Sequence, residues 1–406
     1  MSVLLSCGEM ELGVVGPFPV PRPRWHDVEP VAARLTATLG VPVVVLRLLD
    51  VEGGADGLGG LVRYHAEALR EPVRGADRPA TPQESALLAQ PHPRRARYAT
   101  ATGVRAALAW AERALAAAGR PVTGPVEQVK TWNLAGLFRL PTAAGPAWLK
   151  TGRGFSVDEA AVIDLFDAVE PGFAPTVLAA DPDRRLLLLD HVPGEDCWDP
   201  SGEVVAATVP RLARAQAALA ARHPDGAPAG LPDRSPQRLA AALGPLLEGP
   251  AGAELTAAEL VRARLMADRL PRLIEQLAAC GLPNTVLHGD FHPGNWRSAG
   301  RGTVLVDFAD SHYGHPAIDG LRPKGFTSPQ RWAQAAGAWA ASWRALVPGS
   351  DPVTALRLAE PLALLAYAVR FQEFLDRIEP SEERYHAGDP AAQLRAALDS
   401  FETLTR

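Results

Sequence analysis

The segment VLHGDFHPGNW, residues 286–296, constrains this chain more than any other stretch, because it places chemically active side chains on backbone that cannot be helical. Two glycines and a proline separate its polar residues, and both residue types interrupt helices. Asp290 and Asn295 stand five positions apart, and the short apolar run TVLVDF, which includes Asp307, follows. We therefore expect a polar loop beside a strand that delivers a second acid.

Four of the ten histidines fall within 28 residues, at His288, His292, His312 and His315. Two histidines spaced i, i+4 bind zinc from one face of a helix. The glycines and the proline of the loop remove the helix that this geometry needs. A zinc-dependent hydrolase is therefore an alternative that the pattern disfavours.

Phosphoryl transfer accounts for the same residues. Kinase catalytic loops carry H-x-D-x-x-x-x-N, in which the Asp orients the acceptor hydroxyl and the Asn binds Mg²⁺, and a second Asp holds the metal on the phosphates. Here the two positions are Asp290 and Asn295, and Asp307 follows twelve residues later, before Phe308. Carboxylate and amide oxygens are the hard ligands that Mg²⁺ prefers.

A nucleotide kinase also needs a cation for the phosphates and an acid that holds this cation in place. Only three of the 41 basic residues are lysines, at Lys130, Lys150 and Lys324. Lys150 ends the run AWLK, and Glu159 lies nine residues further on, in the first turns of a predicted helix. A solvated lysine and a glutamate at a helix N-terminus would explain the pair alone. Together with the downstream loop, the pair indicates phosphate binding.

Composition narrows the class of partner and the compartment. The net charge of −5 lacks the positive excess of proteins that bind nucleic acid or anionic membranes, so we expect a small-molecule partner, no nucleic acid and no membrane. Three distant cysteines fit a reducing cytoplasm better than a disulfide framework. The start MSVLLSCGEMEL lacks the basic region of a signal peptide, and the apolar stretch 361–369 is shorter than the ~20 residues of a membrane span.

The chain changes character twice along its length. Residues 1–70 predict a small α+β module, with a helix at 27–39, the strand VPVVVLRLLD and the hairpin partner LVRYHAEAL. Proline and arginine predict a linker at 71–102. From residue 128 the order strand, strand, helix, strand, strand predicts a small mixed sheet that carries one helix, and after residue 194 the pattern is mainly helical.

This order of features resembles the aminoglycoside phosphotransferase family within the protein-kinase-like fold. The resemblance spans about residues 125–404 and is carried by HGDFHPGNW, VDFADS and GHPAID, with WLK, the predicted helix of Glu159 and LLLLDHVPGED in the smaller lobe. It implies a bilobal fold, with a small mixed β-sheet N-lobe and a mainly helical C-lobe. The first hundred or so residues lie outside the resemblance, so we expect an α+β protein with an extra N-terminal α+β module. The expected parts are the module and linker at 1–100, the kinase-like N-lobe at 101–194, and the helical C-lobe with the catalytic loop at 195–406.

The resemblance also implies roles for individual residues. Asp290 is implied as the catalytic base, and His288 and Asp319 are expected to brace its loop. The remaining roles concern cofactors: Mg²⁺ ligands at Asn295 and Asp307, a phosphate contact at Lys150 paired with Glu159, and backbone around Asp190 and Val192 that holds the nucleobase. One departure is that TWNLAGLF has a single glycine where protein kinases have G-x-G-x-x-G.

The resulting hypothesis is a cytoplasmic enzyme, a phosphotransferase with an alcohol group as acceptor. It would move the γ-phosphoryl group of ATP or GTP, with Mg²⁺, to a hydroxyl of a small polar metabolite or antibiotic. A catalytically weak, kinase-like ligand-binding protein is the alternative from another class. The sequence leaves open the acceptor and the oligomeric state. Acids that could form a pocket for a polycation occur late in the chain, but a solvated helix end explains them equally well: Glu373, Asp376, Glu379, Glu382 and Glu383.

Overall fold

The structure, a computed structural model, describes residues 1–21, 23–55, 57–89, 91–300 and 302–405. The chain divides into two units. The first unit contains Met1–Phe155, Val177–His191 and Phe374–Ala387. The second unit contains Ser156–Thr176, Val192–Glu373 and Gly388–Arg406.

The first unit begins with a four-stranded sheet in the order β2-β1-β4-β3, in which only β1 and β4 are parallel. Its elements are β1 (Ser2–Cys7), β2 (Met10–Val15), α1 (Glu29–Leu39), β3 (Val43–Glu52), β4 (Leu61–Ala68) and α2 (Pro82–Ala89). The side chains of Leu35 and Leu39 in α1 pack on one face of the sheet, and Leu87 in α2 packs on the other face. Strand β3 is therefore buried on both sides, which explains its nearly continuous apolar sequence.

The sequence predicted α1, β3 and β4 but not β1 and β2, and its prediction of a linker at residues 71–102 was wrong in part. Helix α2 and the 3₁₀ turn Arg97–Ala99 lie in this stretch. The guanidinium of Arg47 donates to the carbonyl of Leu87 at 2.7 Å. Proline and arginine suggested solvent exposure, but the two leucines of α2 bury themselves against the sheet.

The second sheet of this unit is fully antiparallel, not mixed as the sequence predicted, in the order β5-β6-β7-β9-β8. Its elements are α3 (Ala101–Ala117), β5 (Glu127–Thr131), β6 (Ala135–Leu140), β7 (Ala147–Gly152), β8 (Val177–Asp181) and β9 (Leu186–Asp190). Helix α3 packs on the sheet, and Val44 and Leu46 of β3 belong to the same apolar core. The side-chain amide of Gln128 bonds both backbone groups of Val45 at 2.7 Å. The two sheets therefore share a core.

The second unit is mainly helical and carries two small sheets, β10-β12-β13 and β11-β14. Its elements up to the catalytic loop are α4 (Glu159–Asp167), β10 (Glu195–Asp196), α5 (Gly202–Arg222), α6 (Pro236–Glu248), α7 (Pro250–Ala253), α8 (Ala257–Ala278) and β11 (Thr285–Leu287). The later elements are β12 (Trp296–Ser298), β13 (Thr303–Leu305), β14 (His312–Gly314), α9 (Ala317–Leu321), α10 (Pro329–Leu346), α11 (Pro352–Leu375) and α12 (Asp389–Thr405).

Helix α11 is the one described helix that is long and apolar enough to cross a membrane. However, 67% of its most apolar window is buried inside the protein. Burial of this kind is expected of a core helix, because a helix that is apolar all round needs protein neighbours when no lipid surrounds it.

Candidate functional site

The catalytic loop predicted from HGDFHPGNW lies between two short strand pairs of the second unit. Before the loop, β11 pairs with β14, and after it β12 pairs with β13. Gly289 has φ +84°, a left-handed conformation that L side chains rarely adopt. Pro293 begins a 3₁₀ turn, Pro293–Asn295, that leads into β12. The loop is therefore held at both ends by strand pairing.

Asp319 fixes the first turn of this loop by hydrogen bonds to its backbone. Its carboxylate accepts hydrogen bonds from the backbone N–H groups of His288 at 2.7 Å and Gly289 at 2.9 Å, and from the amide of Gln216 at 2.8 Å. Burial raises the pKa of Asp319 to about 7, against the opposing effect of the two backbone donors. The expectation that His288 and Asp319 brace the loop is met by these contacts, since both side chains are fully buried.

Asp290 is held by an arginine that the sequence interpretation missed. The Nε and Nη2 atoms of Arg322 lie 2.8 and 2.7 Å from Oδ1 of Asp290, and Nε2 of His292 lies 3.4 Å from Oδ2. Burial alone would raise the pKa of Asp290, but Arg322, His292 and Arg370 together outweigh burial and hold this pKa well below its usual range. Asp290 is therefore ionised at neutral pH.

Arg322 is itself held between two aromatic rings. Its guanidinium lies 4.6 Å from the ring centroid of Phe326 and 4.4 Å from that of Tyr367. Cation–π contacts of this kind fix the arginine in one position. Arg322 follows Asp319 by three residues in GHPAIDGLR, and this one-turn spacing from the bracing acid was the only signal that could have identified it.

An aromatic stack lies beside Asp290 and was also missed. The ring of His292 stacks on Trp198 and on Phe326, with centroid distances of 5.2 and 4.5 Å and interplanar angles of 27° and 19°. Trp198 and Phe326 also contact each other, with centroids 6.2 Å apart. The Trp198 side chain remains 53% exposed. An indole held flat beside the candidate base presents an apolar face to solvent, and such a face packs well against the ring of a ligand.

Asn295 and Asp307 are brought together by the β12–β13 hairpin. The amide nitrogen of Asn295 donates to the carbonyl of Asp290 at 3.0 Å and to its carboxylate at 3.2 Å. The backbone carbonyl of Asn295 accepts from the N–H of Val306 at 3.0 Å, directly before Asp307. Strand β13 ends at Leu305, so Asp307 lies two residues beyond the strand, with φ +67°.

These two residues fit a magnesium ion by the chemistry of their donors. The amide nitrogen of Asn295 is used by Asp290, which turns the amide oxygen into the group available for a metal. Within the part of the chain that the structure describes, no group of three or more His, Cys, Asp or Glu could hold a metal. Mg²⁺ does not need one, since it is bound by one or two protein oxygens, substrate phosphates and water.

The four clustered histidines are used in local hydrogen bonds instead. Ring nitrogens of His288 and His312 contact the carbonyls of Val306 and Asp310 at 3.1 and 2.9 Å. His292 and His315 accept from nearby backbone N–H groups. This arrangement gives no support to the zinc hydrolase.

The residues predicted to contact the nucleotide lie on different elements. Lys150 lies in the central strand β7, opposite Leu137 of β6 and Leu187 of β9. Glu159 is the first residue of α4, and its carboxylate accepts from the N–H of Phe308 at 2.9 Å. This bond joins α4 to the segment that carries the second metal-ligand candidate. The ion pair of Lys150 with Glu159 stays a prediction.

The predicted nucleobase contacts lie where the chain passes from the first unit to the second, between His191 and Val192. Asp190 ends β9, and its carboxylate pairs with Arg120 at 2.9 Å. The carbonyl of Val192 accepts from Nε of Arg297 at 3.2 Å. Arginines thus engage the side chain of Asp190 and the backbone carbonyl of Val192. The backbone contact with the nucleobase stays a prediction.

Three of the five acids that could form a pocket for a polycation are paired with arginines, and so is Asp310. In the second unit Asp310 pairs with Arg370, and Glu373 pairs with Arg234 at 2.6 Å. In the first unit, Glu379 and Glu382 are also buried and ion-paired; they are 2% and 1% exposed. They pair with three arginines: Arg47, Arg95 and Arg153. The interpretation of a solvated helix end is therefore wrong for these two residues.

Comparison with known proteins agrees with this geometry. Residues 156–322 match the model of the phosphotransferase enzyme family, abbreviated APH. No curated protein matches the chain significantly. The match confirms the resemblance predicted from the loop motifs and the enzyme class, a phosphotransferase with an alcohol group as acceptor.

Solved structures of kinases resemble the chain over most of their lengths. Choline kinase LicA from Streptococcus pneumoniae is 13% identical, with a TM-score of 0.50, 73% of this chain covered and 99% of that chain. A putative fructosamine-3-kinase from Thermobifida fusca is 20% identical, with a TM-score of 0.48 and coverages of 71% and 98%. A choline/ethanolamine kinase family protein from Mesorhizobium loti is 17% identical, with a TM-score of 0.48 and coverages of 73% and 99%. The likeness to choline kinase LicA confirms the predicted α+β, protein-kinase-like fold class.

Proposed function

We propose that the protein is a small-molecule kinase that transfers the γ-phosphoryl group of ATP or GTP to a hydroxyl of a polar acceptor. One observation carries this proposal. The amide of Asn295 bonds Asp290, and the backbone of Asn295 bonds the residue before Asp307, so the three residues of the predicted phosphoryl-transfer set form one cluster. In this proposal Asp290 is the catalytic base, and Asn295 and Asp307 hold Mg²⁺, which shields the phosphate charge when bound.

Asp290 acts on the acceptor as an ionised carboxylate. With its pKa held well below the usual range, it is a weak base, so it orients the hydroxyl through a hydrogen bond and receives the proton late, when the oxygen has become more acidic. Arg322 keeps the carboxylate in place and occupies Oδ1. The second oxygen, Oδ2, contacts the amide nitrogen of Asn295 and the ring of His292.

The proposed nucleotide contacts come from two regions of the sequence, one with Lys150 and Glu159 and one with Asp190 and Val192. We propose that Lys150 contacts the phosphates and pairs with Glu159, and that backbone at Asp190 and Val192 contacts the nucleobase. The bond of Glu159 to the N–H of Phe308 supports this role, because it ties the acid to the segment of Asp307.

The acceptor is a neutral polar compound rather than a polycation. Polycationic acceptors need unpaired carboxylates, but Asp290, Asp310 and Glu373 each have an arginine partner within the second unit. The exposed face of Trp198 suits the apolar face of a sugar-like ring. Aminoglycosides are therefore disfavoured as acceptors.

We also propose that residues 1–100 carry no chemical step and that the lobes at 101–194 and 195–406 perform the reaction in the cytoplasm. All residues proposed for chemistry lie between Lys150 and Asp307. The N-terminal sheet instead contributes Val44 and Leu46 to the core beneath α3, so its role is stability.

The experiment is an acceptor panel with purified full-length protein and nucleotide labelled in the γ-phosphoryl group. Sugars, amino alcohols, macrolides and aminoglycosides are compared for labelled product. Asp290→Asn should lower turnover by about 10²–10⁴-fold without changing nucleotide affinity, since it removes the base alone. Asp225→Asn, an exposed carboxylate in the loop after α5, is the matched control.

The outcomes separate the alternatives. Nucleotide binding without transfer to any acceptor would favour the ligand-binding protein. Turnover unchanged in Asp290→Asn would remove this residue from the reaction. Transfer to aminoglycosides alone would contradict the proposed acceptor class and leave the kinase assignment intact.

A further inference from the structure

A cavity of about 250 Å³ in the first unit is rich in arginine. Seven of its thirteen lining residues are arginines, whereas arginine makes up 38 of the 406 residues of the chain. The only acid among the lining residues is Asp183. The arginines come from four separate segments: Arg94, Arg95 and Arg97; Arg153; Arg184 and Arg185; and Arg377.

Three of the seven arginines have acidic partners within the first unit. Arg95 pairs with Glu379 at 3.0 Å, Arg153 with Glu382 at 3.4 Å, and Arg184 with Asp181 at 2.6 Å. Among the residues that the structure describes, no ion pair is formed by the other four. They are Arg94, Arg97, Arg185 and Arg377. A chain of net charge −5 therefore places an excess of positive charge in one concave site, although Asp183 lines it and Arg97 also acts on Asp181.

The walls of this cavity are held in place. The guanidiniums of Arg153 and Arg377 lie 5.8 and 5.5 Å from the centroid of the same ring, Phe155. Arg153 is 4% exposed and donates to the carbonyl of Arg94 at 2.7 Å. Preorganised arginines lose less conformational entropy when they bind an anion than mobile ones do.

Arg185 adds a buried donor that has no partner. Its Nε is buried and makes no hydrogen bond to any part of the chain that the structure describes. The residue also has φ +54°, a conformation that glycine or asparagine adopts at lower cost. An arginine retained at such a turn, with an unsatisfied donor at a cavity, is accounted for by a ligand that accepts the hydrogen bond.

We propose that this arginine cavity is a binding site for a compact anion that carries a phosphate group. Arginine forks bind phosphate through two parallel hydrogen bonds, which makes this the ligand chemistry that the lining favours. The volume is below the ~300–1,000 Å³ of typical ligand pockets, so a small phosphorylated metabolite fits better than a larger ligand. The concave shape also favours a small anion over a nucleic acid strand, which needs an extended groove.

This site is independent of the proposed kinase reaction. Its lining includes none of the residues proposed to bind Mg²⁺, nucleotide or acceptor. The proposal therefore stands or fails separately from the assignment of Asp290.

Calorimetric titration of the full-length protein with inorganic pyrophosphate tests the site, without Mg²⁺ and at about physiological ionic strength, where exposed charges are screened. The double variant Arg97→Gln/Arg377→Gln should bind pyrophosphate about tenfold more weakly or worse, because two charged forks are lost. The matched control is Arg34→Gln/Arg113→Gln, which removes two exposed arginines of α1 and α3. Circular dichroism and thermal unfolding verify that both double variants fold.

Lys150→Gln separates the cavity from the proposed nucleotide-phosphate contact. Pyrophosphate binding that persists in Lys150→Gln and in the control pair, and weakens in Arg97→Gln/Arg377→Gln, supports the proposal. No binding by the wild type at millimolar pyrophosphate, equal binding by all variants, or loss in Lys150→Gln alone would overturn it. Tighter, arginine-dependent binding of a single-stranded RNA would overturn it in favour of a nucleic acid site.

Discussion

Replacing Gly289 with alanine should disable the catalytic loop through a steric clash that can be measured against a matched control. A Cβ at position 289 would lie 2.0 Å from the backbone oxygen of Asp310. A close contact between carbon and oxygen is about 3.3 Å, so one backbone segment must move by roughly 1.3 Å. Asp310 cannot yield freely, because its side chain pairs with Arg370, whose guanidinium also donates to the carbonyl of Gly289 at 3.3 Å.

Two effects would lower the free energy of unfolding of Gly289→Ala, and a control variant at a second glycine measures one of them alone. The left-handed conformation at φ +84° costs an alanine about 1–2 kcal/mol, and the forced contact adds about 1–3 kcal/mol. Gly349 has φ +88° with no atom within 4 Å of a built Cβ, so Gly349→Ala incurs the conformational cost alone. Urea unfolding of both variants should therefore show a larger loss in Gly289→Ala, by about 1–3 kcal/mol.

Turnover should distinguish the two variants more strongly than stability does. A displacement of about 1 Å at a catalytic residue costs roughly 10²-fold in rate, so Gly289→Ala should lose at least that much nucleotide turnover. Gly349→Ala should stay close to the wild type. Equal losses of unfolding free energy in the two variants, or normal turnover in Gly289→Ala, would refute the steric argument.

Three further predictions concern the metal, the acceptor and the bracing acid. Asp307→Asn should weaken Mg²⁺-dependent nucleotide binding in calorimetry, because asparagine tolerates φ +67° but lacks the charge; unchanged binding would place the metal elsewhere. Trp198→Ala should raise the acceptor KM about 2–10-fold while kcat changes less, and Leu265→Ala, similarly exposed at 51%, should change neither. Burial raises the pKa of Asp319 from its ordinary 3.8 to about 7, so the folded protein binds the proton more tightly than the unfolded chain. The free energy of unfolding should therefore fall as pH rises between these values, and Asp319→Asn should remove that part of the pH dependence.

The sequence predicts that Asp290, Asn295 and Asp307 lie close together, because this proximity depends on local spacing. Asp290 and Asn295 are five residues apart, and the hairpin that returns the chain to Asp307 is short. Few backbone paths join residues so close in the chain, and the loop glycine and proline select among them. The mainly helical character after residue 194 was also predicted, because the apolar periodicity of these helices is long.

The arginines around the cluster were not predictable in this way. Arg322 and Arg370 reach the loop from a turn after α9 and from α11, far along the chain from their acidic partners. Arginine is the common basic residue here, so its presence at either position carries little information. Strand β1 was missed for a related reason, since it pairs in parallel with residues of β4 that lie 61 positions later, such as Ser2 with Arg63.

The arginines decide how the candidate base can work and what it can bind. A carboxylate that is buried without a cation becomes neutral, and a neutral Asp290 would donate to an acceptor hydroxyl instead of accepting its proton. Arg322, with His292 and Arg370, keeps Asp290 ionised, and its pairing with Asp290 removes the free negative charge that would attract a polyamine. In the proposed function, base action and discrimination against polycations therefore both depend on the contact with Arg322. Loss of Arg322 should therefore change both together, whereas loss of Trp198 should change acceptor binding alone.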